Sequence, residues 1–76
     1  MHNDKIVKIF VALINEPVDV WRPVKATQVG ENSYLIVNQE YDSDIETWQF
    51  KPGERVRCEY IQSSDGMTLA AVSRID

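Results

Sequence analysis

Apolar and polar residues alternate along most of the chain with a period of two, which is the spacing of a strand with one buried face. Turn-forming residues interrupt this alternation at intervals of roughly eight to twelve residues, as they do in small all-β proteins. The pattern therefore predicts six short strands, over residues 5–14, 18–29, 33–38, 48–50, 55–61 and 67–74.

The stretch 47–61 predicts a hairpin around which the rest of the chain is organised. Trp48 and Phe50 share one face of the fourth strand. Pro52 fixes φ in the turn that follows, and Gly53 takes the positive φ that a type II turn requires. The apolar face of the fifth strand then carries Val56, Cys58 and Tyr60. Because Cys58 lies on that face, we expect a small buried side chain and not a reactive thiol.

The first strand places an unbroken apolar row on one face, formed by Val7, Ile9, Val11 and Leu13. The second strand is less regular, because Arg22 falls in phase with its valines and Trp21 does not. Pro23 lies at the same point, and a proline cannot donate to a central ladder. We therefore expect a bulge or bend that turns Trp21 toward the core and Arg22 outward. The alternative is that Trp21 lies on the surface and covers a strand edge.

The connecting segments indicate tight turns and one helical turn. Residues 30–32 and the Asp65-Gly66 pair are hairpin signals. The polar segment 39–46 allows a single turn of 3₁₀ or α-helix near 42–46, with Asp42 or Ser43 as its N-cap. Ile45 is expected to attach that turn to the core.

These elements define an all-β chain, and we expect a small antiparallel β-barrel of the SH3-like type. The alternative is an OB-fold, although segment 39–46 is short for the helix that an OB-fold usually carries. A chain of 76 residues allows a single domain, 1–76, in which residues 1–4 are expected to be disordered.

Two segments together resemble a group of short bacterial proteins of unknown function. They are Val-Trp-Arg-Pro-Val at 20–24 and the pattern Trp-x-Phe-x-Pro-Gly-Glu-x-Val at 48–56. The likeness covers roughly residues 18–61, and it implies a compact all-β bacterial protein. It implies no activity and no functional residues.

Composition narrows the class of function. A net charge of −4 opposes binding driven by nucleic-acid phosphates. The single cysteine excludes an internal disulfide and a cysteine-based zinc site. The apolar run at 6–14 is too short for a membrane helix, so we expect a cytoplasmic protein that does not enter the membrane.

No residue pattern predicts catalysis. Asp42, Asp44 and Glu46 have an oxygen-rich spacing, but Thr47 and Gly53 occupy the positions where an EF-hand needs its glycine and its bidentate acid. The only histidine has no serine or cysteine partner at a recognisable spacing. We therefore expect no enzyme activity, no metal site and no cofactor.

The remaining candidate is an interaction surface of arginine, lysine and tryptophan, a combination that is typical of protein-binding hot spots. Its predicted members are Trp21, Arg22, Lys25, Trp48, Arg55 and Arg57. We expect a small binding module or assembly subunit that contacts a protein. A nucleic-acid-binding β-barrel is the alternative. A solvated face of cross-strand ion pairs would explain the same arginines, and edge strands could pair two copies into a homo-oligomer.

Overall fold

A computed structural model describes residues 5–17, 20–63 and 66–75. The described part is all-β, as predicted, and contains no helix. Its strands are β1 (Ile6–Ile14), β2 (Trp21–Gln28), β3 (Ser33–Ile36), β4 (Thr47–Trp48), β5 (Arg55–Ser63) and β6 (Gly66–Arg74). The prediction for residues 1–4 lies outside the described residues.

The sheet closes in a ring. Its neighbours follow chain order, β1–β2–β3–β5–β6, and β4 lies beside β1 outside this circuit. Adjacent strands are antiparallel except β6 and β1, which run parallel and are bridged at Phe10 and Ala70. This order has no Greek-key crossing of the kind that characterises the OB-fold. It therefore favours the SH3-like type over the OB-fold.

The core fills the interior of the ring. The alternation of β1 sends Ile9 and Val11 inward, and β2 contributes Val24 in register with Ile9. Val7 and Leu13 pack at the two ends of the same row, so the predicted apolar face of β1 is confirmed. The remaining buried members of the cluster are Ala26, Ile36, Trp48, Phe50, Val56, Cys58 and Ala71.

The turn chemistry is largely as predicted. Glu54 N–H donates to the carbonyl of Lys51 at 3.1 Å, and Gly53 has a φ of 93°, as expected at the third position of a type II turn. Gly30 and Ser33 exchange backbone hydrogen bonds around the 30–32 turn. The Asp65-Gly66 hairpin signal falls partly on residues 64–65, outside the described residues.

Segment 42–46 forms one hydrogen-bonded turn. Asp42 Oδ1 accepts from Asp44 N–H, so Asp42 caps the turn. Its carbonyl accepts from the N–H groups of Ile45 and Glu46. The side chain of Ile45 is 78% exposed, so the prediction that it attaches the turn to the core is wrong. Tyr41 makes this contact instead, with its ring 4.6 Å from that of Trp48.

The predicted bulge at Trp21, Arg22 and Pro23 is absent, because β1 and β2 keep one register from Ile6 to Ala12. The backbone N–H and C=O of Lys25 point away from β1, toward Gln39 and Val37. Pro23 lies two residues earlier and has the same orientation, so its missing N–H costs the β1–β2 ladder nothing. Among the described residues, the strand register shifts between β5 and β6, at Arg57 and Cys58.

Candidate interaction surface

The predicted surface residues separate into three groups. Trp21 and Lys25 lie on the outer face of β2, whereas Trp48 is only 3% exposed and belongs to the core. Arg55 and Arg57 are exposed on β5, with β3 between that strand and β2. The six side chains therefore do not form one continuous patch.

Arg22 and Trp48 are joined by an acid that the sequence did not single out for this role. Glu46 Oε1 accepts from the indole Nε1 of Trp48 at 2.8 Å and from Arg22 Nε at 3.0 Å. The Tyr41 hydroxyl also accepts from the backbone N–H of Trp48 at 3.3 Å. Arg22 shares the inward phase of β2, and its charge is accommodated because Glu46 meets it at the end of the core. This cluster satisfies polar groups around a buried tryptophan.

The arginines of β5 partly match the alternative of a solvated face with ion pairs. Arg57 forms an ion pair with Glu59 on the same strand, and Arg74 of the neighbouring strand pairs with Glu54 at 2.9 Å. All of these side chains except Glu54 are about half exposed, where an ion pair contributes little to stability. The face around Arg57 therefore carries its own countercharge.

The outer face of the β1–β2 ribbon is different in character. We define the β1–β2 face as the outward residues Ile6, Lys8, Phe10, Ala12, Ile14, Trp21, Pro23, Lys25 and Thr27. Most of its side chains are apolar, and it contains two lysines and no acid. Ile6, Ile14 and Trp21 are each more than one-third exposed. In an acidic protein this is a distinct apolar and basic surface.

Lys8 and Lys25 lie directly opposite each other on this face. Like charges at opposing positions destabilise an antiparallel pair. Neither lysine forms an ion pair within the described residues. Lys8 Nζ lies 5.5 Å from the centre of the Phe10 ring, so its nearest compensation is a cation–π contact. Within residues 5–17, 20–63 and 66–75, these two cations thus lie among apolar side chains without an acidic partner.

A second apolar surface opens where the β5–β6 hairpin runs beyond the ring. Tyr60 is 67% exposed and Met67 is 64% exposed, although Tyr60 continues the inward phase of Val56 and Cys58. No opposing sheet covers this part of the hairpin within the described chain. We define the Tyr60 groove by its apolar lining, Val7, Phe10, Tyr34, Tyr60, Met67 and Leu69.

The single cysteine lies in the core. Cys58 is 2% exposed, and burial raises the pKa of its thiol to about 11, which keeps it protonated and unreactive at neutral pH. This confirms the predicted buried cysteine. Burial also raises the pKa of Tyr34, with smaller contributions from Cys58 and Tyr60. Within residues 5–17, 20–63 and 66–75, no group of histidine, cysteine and acidic side chains could hold a metal ion.

Sequence reasoning missed Lys8, Phe10 and the exposure of Tyr60. The sequence signal for Lys8 and Phe10 was the outward face of β1, where apolar and charged residues are mixed. The surface that this face forms depends on its register with β2. That register places Phe10 against Pro23 and Lys8 against Lys25. Nothing in the alternation of β5 marks the point at which its hairpin leaves the core.

Comparisons with known proteins assign no family to this arrangement. A scan against protein-family models gave no match, and searches of curated proteins and of solved structures gave no significant match. Across the described ranges, no helix has the length and apolar character needed to cross a membrane.

Proposed function

We propose that the protein is a small non-enzymatic binding module, or a subunit of a larger assembly, that contacts a protein partner through the β1–β2 face. The face combines an exposed tryptophan with a phenylalanine and isoleucines, and aromatic side chains dominate the energy of protein interfaces. Lysines beside them add directed charge at the edge of such a contact. The cytoplasmic location and the bacterial resemblance expected from the sequence belong to the same proposal.

The Lys8–Lys25 pair is the observation that carries the proposal. Opposed lysines repel each other in the free protein, and a partner carboxylate placed between them would remove that repulsion on binding. The partner surface is therefore apolar with at least one acidic side chain facing this pair.

Nucleic acid is the less favoured ligand. Phosphates could also meet the two lysines, but the net charge of −4 opposes a long polyanion. Arg55 and Arg57 lie on another strand, and Arg57 is already paired with Glu59. A short acidic patch on a protein fits two isolated lysines better than a nucleic-acid backbone does.

The test is affinity capture from lysate with and without nuclease treatment, followed by binding measurements with the purified captured protein. Trp21→Ser removes the aromatic side chain, and Ile45→Ser is its control because Ile45 is an exposed apolar residue of the 42–46 turn. Lys25→Glu reverses one lysine, and Arg55→Glu makes the same charge change on β5.

We expect Trp21→Ser and Lys25→Glu to weaken binding of the purified partner at least about tenfold, and the two controls to leave it unchanged. Binding should also weaken as salt is raised. Equal losses in Lys25→Glu and Arg55→Glu would contradict the assignment of the face. Capture that disappears with nuclease would support the nucleic-acid alternative.

A further inference from the structure

We infer that the open edge of β1, beside the Tyr60 groove, accepts an extended acidic segment of a partner protein as an added strand. The inference rests on the proposed protein-binding function and adds to the β1–β2 face a second contact, at the neighbouring seam. Four features of the described chain support it: the limited pairing of β1 with β6, the direction of the β1 backbone, the groove lining and its charge.

The seam between β1 and β6 is only partly closed. Among the described residues, Phe10 and Ala70 form the pairing between these strands. Residues 6–9 of β1 pair with β2, and residues 66–69 of β6 pair with β5. The edges that face each other across the seam therefore lack a described strand partner.

The backbone of β1 directs hydrogen-bonding groups into this opening. Leu13 N–H donates to the Val20 carbonyl, which shows that odd-numbered residues of β1 face β2. The Ala12 carbonyl accepts from Gln49 N–H, so even-numbered residues face the other side. Lys8 has the phase of Ala12, and its N–H and C=O are directed to the seam. An extended peptide could exchange backbone hydrogen bonds with these groups.

The side chains beside the seam suit the apolar residues of such a strand. The Tyr60 groove has a volume of about 580 Å³ and lies between β1 and β6. The exposed ring of Tyr60 and the flexible side chain of Met67 can pack against residues of varied shape. Alternate side chains of an added strand would enter the groove, and those between them would point away.

Charge selects an acidic segment. Lys8 is the only charged residue of the groove lining, which contains no acid. Lys25 lies opposite Lys8 on the neighbouring strand. The whole chain has a net charge of −4, so an acidic peptide is attracted here and repelled elsewhere. A second copy of the protein is a less suitable occupant for the same reason.

The test is selection of peptides from a random 12-residue phage library on the wild-type protein. An enriched peptide would be synthesised in three forms: unmodified, N-methylated at alternate amides, and with its acids changed to amides. Binding would be followed by amide chemical shifts of the isotope-labelled protein. Tyr60→Ser is the site variant, and Ile45→Ser is its control because both residues are highly exposed.

We expect acidic peptides to be enriched and to shift the amides of residues 6–9 and 66–69. N-methylation in the bonding phase, amidation of the acids and Tyr60→Ser should each weaken binding at least about tenfold, whereas Ile45→Ser should not. No enrichment, shifts elsewhere, or equal binding of the N-methylated forms would overturn the inference. Trp21→Ser should leave the peptide bound, because this tryptophan lies outside the groove lining. The capture experiment with Trp21→Ser therefore tests the β1–β2 face separately.

Discussion

Trp21 and Trp48 lie on opposite faces of the sheet, although they pair with consecutive residues of β1. Trp21 is opposite Ala12 and Trp48 is opposite Leu13. Successive residues of a strand point to opposite sides, so one tryptophan faces outward and the other joins the core. The two rings cannot form the shared surface expected from the sequence, and they differ in what their removal should do.

Truncation of the buried tryptophan should unfold the protein or nearly do so. We expect Trp48→Ala to lower the free energy of unfolding by about 3–5 kcal/mol, since it leaves a large cavity in a small core. Trp21→Ala should cost no more than about 1 kcal/mol, because its side chain is already partly exposed. Urea unfolding followed by circular dichroism measures both. Similar losses in the two variants would contradict the burial difference.

Glu46 should matter more to stability than Arg22. Glu46→Ala leaves the Trp48 indole N–H without its acceptor, at a cost of about 1–3 kcal/mol. Arg22→Ala removes only an ion pair whose arginine is half exposed, and it should cost about 0.2–1 kcal/mol. Glu46→Gln keeps an acceptor oxygen and should restore most of the loss. If Glu46→Gln is as damaging as Glu46→Ala, the charge and not the indole contact is what counts.

Reversal of one lysine of the opposed pair should stabilise the free protein. Lys25→Glu turns a like-charge pair with Lys8 into an opposite-charge pair, worth about 0.2–1 kcal/mol. The gain should shrink in about 1 M salt, because salt screens the attraction between the two side chains. Arg55→Glu, opposite Leu35, should show no such gain. A variant that is more stable but no longer binds the partner would show that the repulsion is retained for function. A loss of stability in Lys25→Glu would argue against direct repulsion.

Stability should fall in alkaline solution because of Cys58. The ordinary thiol pKa of 9.0 is raised to about 11 in the folded protein, so above pH 9 the unfolded chain loses this proton first. The contribution of Cys58 to the free energy of unfolding is complete below pH 9 and is lost between pH 9 and 11, with a slope of at most about 1.4 kcal/mol per pH unit. Cys58→Ala should flatten the curve over that interval, leaving the part due to Tyr34, whose pKa is also raised. Unfolding titrations at several pH values give the comparison. An unchanged slope would show that Cys58 ionises equally in both states.

Gly53 should resist replacement for reasons of backbone conformation alone. A Cβ built there meets no atom within 4 Å, but the φ of 93° is unfavourable for other residues. We expect Gly53→Ala to cost about 1–2 kcal/mol. Gly53→Asn should cost less, because asparagine tolerates positive φ better. Thermal unfolding of the two variants checks the order, and an equal loss would indicate a packing effect instead.

Local chemistry made the strands and turns predictable from the sequence. Period-two alternation places β1 and β5, and the Pro-Gly pair defines the turn at 51–54, because each depends on neighbouring residues. The position of Trp21 depends instead on whether the missing N–H of Pro23 falls inside or outside a ladder. Only the pairing of β2 with β1 decides that.

The candidate surface was harder to predict for a related reason. Lys25 lies on the surface as predicted, whereas Trp21 lies there against the expectation that it turns toward the core. Lys8 and Phe10 complete their surface only after the strands are paired. Tyr60 follows the buried Val56 and Cys58 on the same face of β5 but lies beyond the end of the core. Ile45 also lies outside the core. Alternation tells which side of a strand a residue is on and cannot tell how far the opposing layer extends.

The bridge between Phe10 and Ala70 joins the first strand to the last. The β1–β2 ribbon can form as soon as its own residues are available, but this contact must wait for β6. While the chain emerges from the ribosome, the core side chains of β1 therefore lack their final cover. Newly made molecules should be most open to proteases and to aggregation in that interval, and a chaperone that shields the edge of β1 would act there.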